Sequence, residues 1–161
     1  MMAELAARAD DLRLDLFGGF RMTAGGRPVP ISSRRARALI GFLRLARDGS
    51  ASRERLAGLL WSDRGEEQAR ASLRQCLLEI RAALTPFAVE LIQAGRDSIG
   101  LNAGGPASDV SELEHVIAAK DPVALAGALE NLADRELLAD AGVGGLLIGR
   151  ASCRERVSSV V

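Results

Sequence analysis

The chain has a single histidine, two cysteines and no Cys-x-x-Cys pair, and these shortages remove most metal and redox chemistry. Cys76 and Cys153 lie far apart without clustered histidines, so neither a disulfide framework nor a zinc site is indicated. Cys76 reads as a small apolar core residue. His115 stands beside Glu112 and Glu114 on an expected surface helix, where a solvated or capping role outweighs a catalytic or metal-binding one. Gly142-Val143-Gly144-Gly145 lacks the Gly-Lys-Ser/Thr ending of a phosphate-binding loop, and the many Ser and Asp residues have no base to activate a nucleophile. Neither an enzyme nor a cofactor is expected. Long apolar runs are missing too. None reaches the roughly 18 residues needed to cross a bilayer, and Met1-Met2-Ala3-Glu4-Leu5 lacks a basic segment followed by an apolar one. A cytoplasmic protein without membrane contact is the expectation.

What is present is an ordinary globular composition: 161 residues, 48% hydrophobic and 26% charged, enough for one domain or one domain and part of a second. The formal net charge of zero is a cancellation between segments. Met1 to Leu101 carries sixteen Arg against twelve acids, giving +4, whereas Asn102 to Leu147 carries two basic residues against eight acids, giving −6. Ile148 to Val161, with three Arg and one Glu, restores zero. A basic front is what phosphate binding requires. Lys120 is the only lysine, so almost all of that charge is guanidinium.

Leu12 to Phe17 alternates apolar and polar residues before Gly18-Gly19, and Phe20 to Thr23 leads through Gly25-Gly26 into Arg27-Pro28-Val29-Pro30-Ile31. Period-two alternation broken by Gly pairs predicts a small antiparallel sheet, its last strand confined to an edge by Pro28 and Pro30. Ser32 and Ser33 then offer an N-cap to a first helix, whose apolar stripe Ala36, Leu39, Ile40, Leu43 and Ala46 runs up to Asp48-Gly49. That helix carries Arg34, Arg35, Arg37, Arg44 and Arg47 and no acid. A second helix starts after Ser52, buries Leu56, Leu59 and Leu60, and stops near Trp61. Ser62-Asp63-Arg64-Gly65 connects it to a third, expected over Glu66 to Leu84 before Pro86, with Asp63 and Glu66 spaced as a capping box. Val89 to Ile92 and Ser98 to Leu101, joined around Gly95-Arg96-Asp97, read as a hairpin. After Gly104-Gly105-Pro106, two amphipathic helices are expected over Ser111 to Ala119 and Pro122 to Leu132.

At about 100° per residue, Arg70, Arg74 and Arg81 fall within about 40° of one another on the third helix, beside the apolar face of Leu73, Cys76, Leu77, Ile80 and Leu84. A major groove admits one α-helix, guanidinium groups pair with phosphates or guanine edges, and Ser72 and Gln75 can add hydrogen bonds. The same spacing equally suits arginines that solvate a surface helix, with Glu66 and Arg70 paired at i, i+4.

Residues Leu12 to Leu101 resemble the OmpR-like winged-helix domain that opens bacterial SARP-like regulators. The resemblance is carried by Gly26-Arg27-Pro28-Val29-Pro30, Arg35-Ala36-Arg37-Ala38-Leu39-Ile40, Ser52-Arg53-Glu54-Arg55-Leu56-Ala57-Gly58-Leu59-Leu60-Trp61 and Ala69-Arg70-Ala71-Ser72-Leu73-Arg74-Gln75. It implies an α+β winged helix-turn-helix, with an N-terminal antiparallel sheet and a C-terminal hairpin wing, that binds double-stranded DNA as a transcriptional regulator. The third helix would enter the major groove through Arg70, Ser72, Arg74, Gln75 and Arg81. The hairpin around Arg96 would touch the flanking minor groove, Ser62, Asp63, Arg64 and Gly65 would face RNA polymerase, and a dimer on DNA is implied. This chain departs from many response-regulator versions in having Leu78-Glu79 rather than basic residues before Ile80-Arg81. An acid facing DNA opposes binding. Glu79 therefore carries the alternative reading, a winged-helix interaction module with little DNA affinity.

Ser108-Asp109-Val110-Ser111-Glu112-Leu113-Glu114 and the helices after it resemble the start of the same family's bacterial transcriptional activator domain. Residues 108–147 are therefore expected to be a truncated, partial all-α helical-repeat segment, loosely held and with apolar faces exposed. Ile148 to Val157 resembles a translated sequencing adapter, so residues 148–161 are expected to be a non-native tail that carries no functional weight, the alternative being a short basic tail.

Overall fold

The computed structural model describes residues 12–102, 105–132, 135, 137 and 138; the expected tail at 148–161 lies outside them. The chain opens with three strands, β1 (Leu12–Asp15), β2 (Arg21–Ala24) and β3 (Arg27–Pro28), joined as an antiparallel meander. Alternation places Leu12, Leu14, Met22 and Ala24 inside and their neighbours toward water. Gly25 and Gly26, with φ of 55° and 75°, supply the left-handed pair that a two-residue hairpin turn demands. As Pro28 requires, β3 lies at the sheet edge.

Helix α1 (Arg34–Leu45) follows, with Ser33 Oγ accepting from the Ala36 N–H. A short strand β4 (Ser50–Ser52) leads into α2 (Arg53–Leu60), and Ser52 caps that helix at Arg55 N. Helix α3 runs over Glu66–Leu84, and a single 3₁₀ turn at Thr85–Phe87 carries Pro86 past its end. Strands β5 (Ile92–Ala94) and β6 (Ser98–Leu101) form the hairpin, and β4 joins β6 to make a second sheet of order β4-β6-β5. The hairpin begins later than alternation suggests, because Val89 and Leu91 are drawn into the core rather than the ladder. The three helices, the first sheet and the wing share one apolar core that includes Leu14, Leu39, Ile40, Leu56, Trp61, Leu73, Ile80 and Ile99.

Asp63 does not cap α3. Gly65 is the N-cap and offers no side chain, because the turn at 62–64 sends the Asp63 carboxylate toward Arg35 of α1, 3.3 Å away, and Glu66 pairs with Arg70 instead.

Beyond the glycine connection, strand β7 (Ala107–Ser108) pairs in parallel with β1 and extends the first sheet to the order β3-β2-β1-β7. Ser108 starts α4 (Asp109–Ala119) through a capping box with Ser111, so the helix begins two residues before the apolar pattern does. This segment is docked firmly. Asp109 Oδ2 accepts the backbone N–H groups of Leu16 and Phe17, both at 2.8 Å. Arg13 forks onto Glu112 at 2.7 and 3.4 Å, and Arg44 reaches Ser108 Oγ at 2.9 Å and Glu114 at 3.3 Å. Leu138 enters the main core and donates its N–H to Leu16 O. Helix α5 (Pro122–Leu132), capped by Asp121, differs: none of its residues is buried, and Val123 is 80% exposed.

The Cys76 thiol is buried in the α3 face of the core, which pushes its pKa up to about 12; Glu79 adds to the rise and Arg35 opposes it. A thiol ionises near 9.0 in the unfolded chain, which then binds fewer protons than the folded one, so stability falls as pH climbs from 9 toward 12. In the full chain carrying Cys153→Ser, Cys76 is expected to resist an aromatic disulfide reagent at pH 8 until denaturant is added. Rapid native-state labelling would contradict its burial.

Candidate nucleic-acid interface

Helix α3 turns one face inward through Ala69, Leu73, Cys76, Leu77, Ile80 and Leu84, all buried. Arg70, Arg74 and Arg81 stand exposed along one shoulder of that face, as their spacing predicts. They differ in their partners. Arg70 is paired with Glu66 one turn earlier, so its charge is partly answered within the helix. The side chains of Arg74 and Arg81 make no hydrogen bond or ion pair among the described residues and extend into water as unpaired cations.

The two polar candidates lie off the arginine shoulder. Gln75 is exposed about 100° around the helix from Arg74, and half-buried Ser72 lies on the far shoulder, roughly 160° from Arg70. There Arg64 Nη1 donates to Ser72 Oγ at 2.7 Å, which ties the connection between α2 and α3 to the second turn of α3. Glu79 shares the far shoulder, about 140° to 180° from the three arginines, and so does not neutralise them.

Ser62, Asp63, Arg64 and Gly65 are all exposed at the mouth of the connection. Below them Trp61 is buried, with the Arg35 guanidinium 5.5 Å from its ring centroid and Asp63 held by the same guanidinium. This loop is therefore seated from α1 and from α3 at once. The basic first helix is largely absorbed by the fold: Arg35 serves this seat, Arg37 Nε donates to Ile31 O, and Arg44 reaches Ser108 and Glu114.

Arg96 sits exposed at the tip of the β5–β6 wing, where its side chain has no partner among the described residues. The tip is fixed from an unexpected quarter. Arg53, the first residue of α2, donates its backbone N–H to Asp97 O at 2.9 Å and its Nε to Gly95 O at 3.0 Å. Arg53 thus joins the start of α2 to the wing. Sequence offered no signal for this role, since an arginine after an N-cap usually projects into solvent.

Among the described residues no group of three His, Cys, Asp or Glu could hold a metal ion, and His115 is exposed on α4. No described helix is long and apolar enough to cross a membrane.

No protein-family model and no curated protein matches the chain. A solved structure does: EmbR of Mycobacterium tuberculosis, in complex with a low-affinity phosphopeptide, superimposes with a TM-score of 0.68 at 21% identity. The match covers 92% of this chain and 43% of the EmbR chain, so this chain spans less than half of its neighbour's length. At that identity the likeness concerns architecture, and the chain has the α+β winged-helix fold.

Proposed function

We propose that this protein is a sequence-specific DNA-binding transcriptional regulator of the bacterial cytoplasm. It docks α3 in the major groove of a promoter and performs no chemistry. The observation that carries the reading is the pair of exposed guanidiniums Arg74 and Arg81, unpartnered among the described residues, on one shoulder of α3, with Arg96 on a wing tip anchored by Arg53. Guanidiniums held on rigid elements, with no acid to satisfy them among the described residues, suit phosphate oxygens and guanine edges. Arg70 adds a contact once Glu66 yields it. The seated loop Ser62 to Gly65, with Arg64 restrained by Ser72, offers RNA polymerase a fixed surface, in keeping with an activator, and protomers pair on the DNA.

The test is binding of the full chain, by fluorescence anisotropy across a salt series, to duplexes enriched from a random-sequence pool. Tight binding that weakens steeply with salt, with log K falling by about 0.9 per phosphate contact for each decade of salt, is expected. Failure to bind any duplex at low salt would remove the reading and leave a winged-helix interaction module with little DNA affinity.

A further inference from the structure

Leu78 has no task in the core or in the contacts described so far. It is 57% exposed, and among the described residues the other large exposed hydrophobics, Val123 at 80% and Leu129 at 40%, both lie on α5. Leu78 is thus the sole such residue of the described winged-helix portion. Its position on α3 is specific. It points about 130° away from the middle of the buried face formed by Leu73, Leu77, Ile80 and Leu84. Its neighbours at i−4, i−3, i+3 and i+4 are Arg74, Gln75, Arg81 and Ala82, and all four are exposed. An isobutyl group therefore occupies the centre of a patch whose rim is guanidinium and amide, with Ala71 and Ala82 keeping the helix surface low beside it.

In a major groove the rim groups have hydrogen-bonding partners on phosphates, guanine and adenine, but an isobutyl group has none. Its complement there is the one apolar group the groove presents, the C5 methyl of thymine. We propose that Leu78 is a specificity-determining residue that reads a thymine methyl, so that the preferred duplex places thymine at the position facing the centre of α3. This rests on the DNA-binding reading above and adds the chemistry of the base being read. Burial of the Leu78 side chain against that methyl also gives an apolar contribution that salt does not screen.

The experiment uses the full chain, its Leu78→Ala variant and the duplex enriched from a random pool, resynthesised with deoxyuridine in place of each thymidine in turn. Uracil keeps every groove hydrogen bond and lacks only the methyl. At one position the substitution is expected to weaken wild-type binding by about three- to fivefold, the worth of one buried methyl-sized group. In Leu78→Ala the same substitution is expected to have no effect. Leu78 is exposed, so an unchanged circular dichroism spectrum and melting temperature are expected for the variant. Equal wild-type affinity for the thymine and uracil duplexes, or undiminished discrimination in Leu78→Ala, overturns the proposal while leaving DNA binding intact. Absence of any enriched or bound duplex is a different failure, which takes down the DNA reading and this inference with it.

Discussion

Replacing Arg74 and Arg81 together by alanine is expected to lower affinity for the enriched duplex by about 2–6 kcal/mol, at about 1–3 kcal/mol for each lost contact. The melting temperature should hold. Both side chains are exposed and make no hydrogen bond or ion pair among the described residues, so their removal takes nothing from the folded state. The two positions lie about two helical turns apart, and their losses should nearly add. Where they touch phosphates rather than bases, the salt slope should flatten by about 0.9 for each. Arg70→Ala should cost less, since Glu66 already answers part of that charge in the folded chain. Anisotropy titrations at two salt concentrations, set beside thermal melts, provide the check. An unchanged affinity in the double variant would remove α3 from the groove.

Truncating Leu138 to alanine is expected to destabilise the whole chain by about 2–5 kcal/mol, measured by urea denaturation, as for other buried leucines. Leu138 is 6% exposed and belongs to the same core cluster as Leu14, Leu39 and Ile80. It packs against Gly41 of α1, where an added Cβ would come within 2.7 Å of Leu138 Cδ1. Only a residue without a side chain lets α1 and Leu138 approach so closely. Gly41→Ala should crowd the leucine, and its net cost is that displacement less a helix-propensity gain of about 1 kcal/mol. Were the region after the glycine connection merely appended, Leu138→Ala would leave the main unfolding transition in place.

The parts of this fold legible in the sequence were those with local causes. Ser33 and Ser52 cap their helices as their positions suggest, the interior face of α3 follows the apolar period, and Pro28 marks a sheet edge. Parts that depend on distant partners were not legible. Strand β4 is Ser-Ala-Ser, with no alternation to announce it, and it exists because Ser98 to Gly100 lies alongside nearly fifty residues later. Strand β7 likewise has only two residues and takes its identity from Arg13 and Leu14. For the candidate interface, helical spacing located the arginine shoulder but could not say which guanidiniums remain unanswered. Arg64 and Ser72, placed by sequence on two separate surfaces, turn out to be bonded to each other. Three of the four arginines of α1, read from sequence as a basic run, turn to Trp61, Asp63, Ile31, Ser108 and Glu114.

The attachment of α4 to β1 has a mechanical meaning. Its Asp109 carboxylate grips two successive amides at the end of β1, Glu112 holds Arg13 on the same strand, and β7 lies hydrogen-bonded along that strand's flank. Three fastenings on one short strand bind α4 to the first sheet, so α4 and that sheet are expected to open together, as one unit, in hydrogen exchange.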